Sequence, residues 1–100
     1  MTTEPGRKDD QGKARVGLML CDFSLALMAV AEVTTYGAEK YSDSGWLHVE
    51  KGISRYDDAK GRHMLLGYRE TCDVESGESH LAMEAWNALA KLELMLRGVK

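Results

Sequence analysis

The segment from about Glu78 to Arg97 (ESHLAMEAWNALAKLELMLR) constrains this chain more than any other. Leu81, Ala85, Ala88, Leu89, Leu92 and Leu96 recur at helical spacing and form one apolar stripe. About 130° away, at 100° per residue, His80, Glu84 and Asn87 share a line. Beyond that line comes a second apolar strip of Met83, Ala90 and Leu94. A helix that is apolar nearly all round is buried or shared with another subunit. Polar groups boxed between two apolar strips mark a site; the bland alternative is a hydrated groove edge or a polar seam between subunits.

The rest of the chain follows the same period. Asp22 is an N-cap candidate for an earlier helix in which Phe23, Ala26, Leu27, Val30, Val33 and Thr34 recur, and Gly37 is placed to end it. Ser54 with Asp57 gives a capping-box-like start to a second helix running to about Glu70. Ser42 to Gly52 reads as a loop and Thr71 to Gly77 as a connector. Strand-like alternation is absent, so the expected fold is all-α, three main helices in a small bundle. Residues 1–15 read as a flexible arm of mixed charge, and 16–100 as a single helical domain.

Length and charge exclude several classes. One hundred residues support one core, and a core that small without disulfides commonly relies on oligomerisation, so a homo-oligomer is expected. A net charge of −3 argues against a broad grip on duplex nucleic acid or an anionic membrane. The most apolar stretch, Val16 to Val33, contains Asp22 and ends beside Glu32, where a membrane span wants about twenty apolar residues with few charges. The start of the chain carries no apolar targeting segment. Cys21 and Cys72 are too few for a disulfide framework, so a reducing cytoplasm is the expected compartment.

Acidic and imidazole groups stand against this apolar background. Glu32 is the one charged side chain from Phe23 through Ala38, and a lone carboxylate there needs a partner, a metal or water; alternatively it lies on the solvent-facing line of an amphipathic helix. Tyr56, His63 and Glu70 lie seven apart and project along one line, though a single histidine beside apolar residues is more often a hydrogen-bonded core residue than a ligand. Glu70 and Asp73 have the i, i+3 spacing that lets two carboxylates share a hard cation, and Glu75 and Glu78 add to the acidic connector. Together with Glu32 and the His80 line they suggest a bundle metal site, whose oxygen-rich donors would favour Mg²⁺ or Mn²⁺ over zinc. Lys13, Arg15, Lys40 and Arg62 are donors of the kind phosphates need, and Tyr36, Tyr41 and Trp46 offer faces for a base.

Several segments in order carry a resemblance: GRKDDQGKAR (6–15), EVTTYGAEKY (32–41), the Trp46 loop, Arg62–His63, and DVESGESHLAMEAWNAL (73–89). Over about Gly6 to Leu94 the chain resembles the phage and bacterial dATP/dGTP diphosphohydrolase N-terminal family, grouped near the MazG-like all-α nucleoside triphosphate pyrophosphohydrolases. The resemblance implies a helical, metal-dependent enzyme converting a purine deoxynucleoside triphosphate to monophosphate and pyrophosphate. It implies Lys13, Arg15 and Lys40 as phosphate contacts, and Arg62 and His63 facing the nucleotide. Glu70, Asp73 and His80, with Glu32 opposite, would hold the cation or position water, and Asn87 would orient a ligand or the base. The chain departs from the family pattern at Gly45 (usually Asn), Arg69 (usually Gly) and Met83 (usually His), and Glu84 is the neighbour able to substitute for the imidazole missing at Met83. Two other readings stay open: a non-catalytic relative that binds nucleotide or a host protein, and a helical oligomer without a ligand.

Overall fold

The computed structural model describes residues 5–99 and is all-helical. Four α-helices follow in chain order: α1 (Val16–Asp22), α2 (Ser24–Lys40), α3 (Gly52–Leu66) and α4 (His80–Leu96), with a 3₁₀ turn at Gly45–His48. Among the described residues the extended pairing is one isolated antiparallel bridge, Cys72 with Ser79. No single helix there is long and apolar enough to cross a membrane. Residues 5–15 are exposed and lack helix, and the first four residues of the expected arm lie outside the described chain.

Helices α3 and α4 form an antiparallel pair, and small residues let them close. Gly52 is buried at the start of α3, where a Cβ would lie 3.0 Å from Leu94 Cδ1 near the end of α4. At the opposite end Gly67 lies against His80. Leu94 is 1% exposed and packs in a core with Ala82, Ala90 and, from α2, Val33. Lys91 Nζ donates to Asp57 Oδ1 at 2.9 Å across the pair. α2 joins α4 where Trp86 Nε1 donates to Thr34 Oγ1 at 3.1 Å. Trp46, Tyr56 and Trp86 meet edge-to-face in all three combinations, with centroids 5.6 to 6.2 Å apart. Each such pair contributes about 0.5–1.5 kcal/mol beyond area burial, so the cluster ties the 3₁₀ turn to both helices.

The helix boundaries differ from the sequence reading in α1, α2 and α3. The first expected helix is two, because the chain bends by 87° between α1 and α2. Phe23, not Asp22, is the N-cap of α2 and makes no side-chain cap bond; Asp22 instead closes α1. α2 also runs through Gly37 to Lys40, where Lys40 Nζ and Tyr36 Oη both donate to Glu75 Oε1, at 2.6 and 3.2 Å. Glycine inside a helix costs only roughly 1 kcal/mol, so Gly37 does not by itself end α2. α3 starts at Gly52 behind Lys51 in the left-handed region (φ 55°) with no side-chain cap, and Asp57 is spent on Lys91 rather than on a capping box. It ends at Leu66, so Glu70 lies in the connector, off the Tyr56–His63 helical line.

The structure also decides which face of α4 is buried, a choice the two apolar strips left open. The predicted main stripe faces outward: Leu81 is 74% and Leu96 77% exposed, and Leu89 and Leu92 are exposed as well. The buried residues are His80, Ala82, Asn87, Ala90 and Leu94, which include His80 and Asn87 of the boxed polar line and Ala90 and Leu94 of the second strip. Small side chains and the glycine approach select this face, since Ala82 and Ala90 let a neighbouring backbone come closer than a row of leucines would.

Candidate active site

A histidine pair forms where the end of α3 meets the start of α4. Ser79 caps α4, its side chain accepting from the Ala82 backbone N–H at 3.2 Å, and this fixes His80 as the first helical residue. The His80 backbone N–H donates to Thr71 O, and Asp73 N–H to Glu78 O, so the connector folds back over the helix start. His80 is fully buried, with Nδ1 3.0 Å from His63 Nδ1 and Nε2 2.9 Å from Glu70 Oε1. A carboxylate only accepts, so in neutral His80 the proton sits on Nε2 and the Nδ1 lone pair faces His63. Glu70 thus orients an imidazole, as carboxylates behind metal-ligating histidines do.

Asp73 completes the cluster. One ligating atom each from His63, Asp73 and His80 lie within 4.8 Å of one another. Asp73 Oδ2 accepts from Ser76 N–H and Ser76 Oγ, both at 2.9 Å. The Ser76 backbone bond holds the carboxyl below its usual range, against partial burial, with further help from the Ser76 hydroxyl and the two histidines. His63 is pushed below the ordinary histidine value, first by burial and then by His80. A depressed carboxylate beside a histidine kept neutral is a donor set ready for a cation near neutral pH.

His63 also lines a cleft of about 880 Å³ between α2, the 3₁₀ turn, α3 and α4. Trp46, Tyr56 and Trp86 form its aromatic wall, and Arg55, Arg62 and Lys40 its cations. The polar tips of two wall rings are already engaged: Tyr56 Oη donates to Trp46 O at 2.7 Å, and Trp86 Nε1 to Thr34. Lys40 is raised above the usual lysine value by its bond to Glu75, whose carboxyl that bond lowers in turn. Asn87, buried, gives one N–H to Met83 O at 2.8 Å; its carbonyl oxygen and second N–H remain for a ligand.

The expected site residues therefore separate into groups. Lys40, Tyr41, Trp46, Arg62, His63 and Asn87 line the cleft. Asp73 and His80 join His63 at the donor cluster, and Glu70 stands behind His80. Glu32 is exposed on α2 and Glu84 half-buried on α4; neither is in the cluster or the cleft lining. Lys13 and Arg15 are exposed ahead of α1 and do not line the cleft. Sequence reasoning missed Arg55 and Trp86 as cleft residues. For Trp86 a signal existed, since it lies three residues from Met83 and next to Asn87 on the boxed side of α4.

The described residues thus form an all-α protein whose helices enclose an aromatic, cation-lined cleft beside a His₂Asp cluster. The family model for dATP/dGTP diphosphohydrolase, N-terminal, matches residues 3–100, and the chain belongs to that family. Comparison with curated proteins and with solved structures gives no match.

Proposed function

We propose that the chain hydrolyses a purine deoxynucleoside triphosphate to the monophosphate and pyrophosphate. The observation that carries this reading is the position of His63, which belongs at once to the donor cluster and to the wall of the aromatic cleft. Family membership supports the substrate class.

The donor set fits a divalent cation held by His63, Asp73 and His80. Two imidazoles and one carboxylate suit Mn²⁺ better than Mg²⁺, which prefers oxygen ligands and strict octahedral geometry. When bound, such an ion would neutralise phosphate charge and lower the pKa of an attached water. The remaining work falls to this chain's own side chains. The base stacks on one face of the Trp46–Trp86 wall and meets the other ring edge-on, and Asn87 reads its edge or the sugar with the carbonyl oxygen and N–H left over from its helix bond. Arg55 and Arg62 hold phosphate oxygens as charge-assisted, fork-shaped donors. Hydrolysis forms a bond between water oxygen and the α-phosphorus and breaks the bond to the bridging oxygen, so pyrophosphate leaves. Glu70 keeps His80 oriented from behind the ring, and the proton released by the attacking water passes to solvent through the open cleft.

A second reading is favoured by Met83, whose thioether lies 3.8 Å from Ser76 Oγ, beside the Asp73 turn, where the resemblance expects an imidazole. In that reading the cleft binds nucleotide without turnover. One screen separates the two: deoxynucleoside and ribonucleoside triphosphates with Mn²⁺ or Mg²⁺, reading pyrophosphate against orthophosphate, alongside calorimetry. Pyrophosphate release supports hydrolysis; binding without release supports the second reading.

A further inference from the structure

The cations that line the cleft are not in the same state. Among the described residues Arg55 and Arg62 form no ion pair, whereas Lys40 Nζ already holds a carboxylate oxygen, Glu75 Oε1, at 2.6 Å. The same oxygen accepts from Tyr36 Oη at 3.2 Å. Lys40 also lies over the rings of Tyr36 and Tyr41, 5.9 and 5.4 Å from their centroids. Tyr36, Lys40 and Tyr41 all line the cleft, while the carboxylate comes from the connector between α3 and α4. Two donors, one of them charged, thus converge on a single anionic oxygen, which is the arrangement a phosphate oxygen needs. The protein fills that seat with its own side chain, and a tie serving only to fasten the connector to α2 has no need of donors that line a cleft.

We propose that Lys40 and Tyr36 seat the terminal phosphates of the substrate and the pyrophosphate it releases, and that Glu75 is a built-in competitor for that seat. The pyrophosphate end of a bound triphosphate displaces the Glu75 carboxylate from Lys40, and Glu75 takes Lys40 back as the product leaves. Glu75 is two residues from Asp73, so its backbone lies at most about 7 Å from that of a donor-cluster residue. A phosphate chain whose first phosphate meets the cluster therefore has the seat close by. The exchange is easy, because the Glu75 side chain is 67% exposed and an ion pair in that much water contributes little. It also leaves the donor cluster intact. Asp73 is held by its own turn, with Oδ2 accepting from the Ser76 N–H and hydroxyl, its N–H donating to Glu78 O and its carbonyl accepting from the Gly77 N–H. The identity of the occupant rests on the hydrolysis reading; the competition between Glu75 and an added anion does not.

The test is calorimetry with inorganic pyrophosphate on the full chain in chelator, where no turnover occurs. Glu75→Gln is expected to bind pyrophosphate about fivefold more tightly than the wild type, the factor set by losing an exposed ion pair. Lys40→Met is expected to bind it roughly tenfold or more weakly, as for a lost hydrogen bond to a charged group. Mn²⁺ affinity, titrated separately without chelator, is expected to be the same in Glu75→Gln and wild type, whereas a loosened connector would lower it. Equal or weaker pyrophosphate binding by Glu75→Gln overturns the inference, as does Lys40→Met binding like the wild type. Lost Mn²⁺ affinity in Glu75→Gln overturns it too, since the contact would then be a structural tie. The two readings fail separately. If the affinity ratios hold and no nucleotide yields pyrophosphate, the seat stands as a pyrophosphate site and hydrolysis falls; if pyrophosphate is released and the affinities are equal, hydrolysis stands and the competitor falls.

Discussion

Glu70 and His63 do different jobs although both stand at the histidine pair. Glu70 holds His80 by one hydrogen bond, so Glu70→Gln preserves the shape and removes only the charge. Isothermal titration with Mn²⁺ is predicted to show affinity about 10–100-fold weaker, the range for losing a carboxylate behind a ligand. Asp73→Asn and His63→Gln remove or alter a donor itself and are predicted to exceed that loss. A pH effect follows for the metal-free chain. His63 is lowered in the folded state by burial and by His80, so the unfolded chain binds the proton more readily. The stability that neutral His63 contributes is therefore present above the unfolded value near 6.5 and is lost as pH falls through the folded value. In chelator, urea midpoints are predicted to drop as pH falls from 7 toward 5, and His63→Gln to flatten that slope.

Helix pairs carry the site, and their seams are the places to test it. Gly52→Ala places a methyl 3.0 Å from Leu94 Cδ1, an overpacking predicted to cost about 1–3 kcal/mol in denaturant unfolding. Leu94→Ala empties the same seam and is predicted to cost about 2–5 kcal/mol. Ser79→Ala removes the cap of α4 at about 1 kcal/mol and loosens His80, so its loss of metal affinity is predicted to exceed what stability explains. How much of this was readable from sequence depends on the element. α4 was legible to within two residues because Ser79, the periodic apolar residues and Gly98 are local signals. The division at Phe23 was not, since the apolar period runs straight across it, nor was the passage of α2 through Gly37, because a glycine is a common but not an obligatory helix stop. The sequence marked two apolar strips on α4 without deciding which packs inward. Leucine count marked the outer stripe, while close approach to Gly52 selected the alanine side. Asp73 and His80 were legible as candidates through spacing and the boxed line, but the pairing of His80 with His63 required the antiparallel return of α4 onto α3.

At the scale of the molecule, core and site share the same few residues. Among the described residues the buried set joins two polar side chains, His80 and Asn87, to four apolar ones, Val33, Ala82, Ala90 and Leu94. The homo-oligomer expected from the chain's length predicts a melting temperature that rises with protein concentration, as it does when association is linked to folding. Differential scanning calorimetry across a wide concentration range checks this, and a concentration-independent transition would mean that the protomer is stable by itself.

The central claim is that His63, Asp73 and His80 seat a divalent cation at the wall of a nucleotide cleft and so make α-phosphorus hydrolysis possible. Phosphorus NMR of dGTP or dATP incubated with the wild-type chain and Mn²⁺ addresses it most directly. The account predicts signals of monophosphate and pyrophosphate that fail to grow with Asp73→Asn or with chelator. Equal product from wild type and Asp73→Asn, or orthophosphate in place of pyrophosphate, would contradict it.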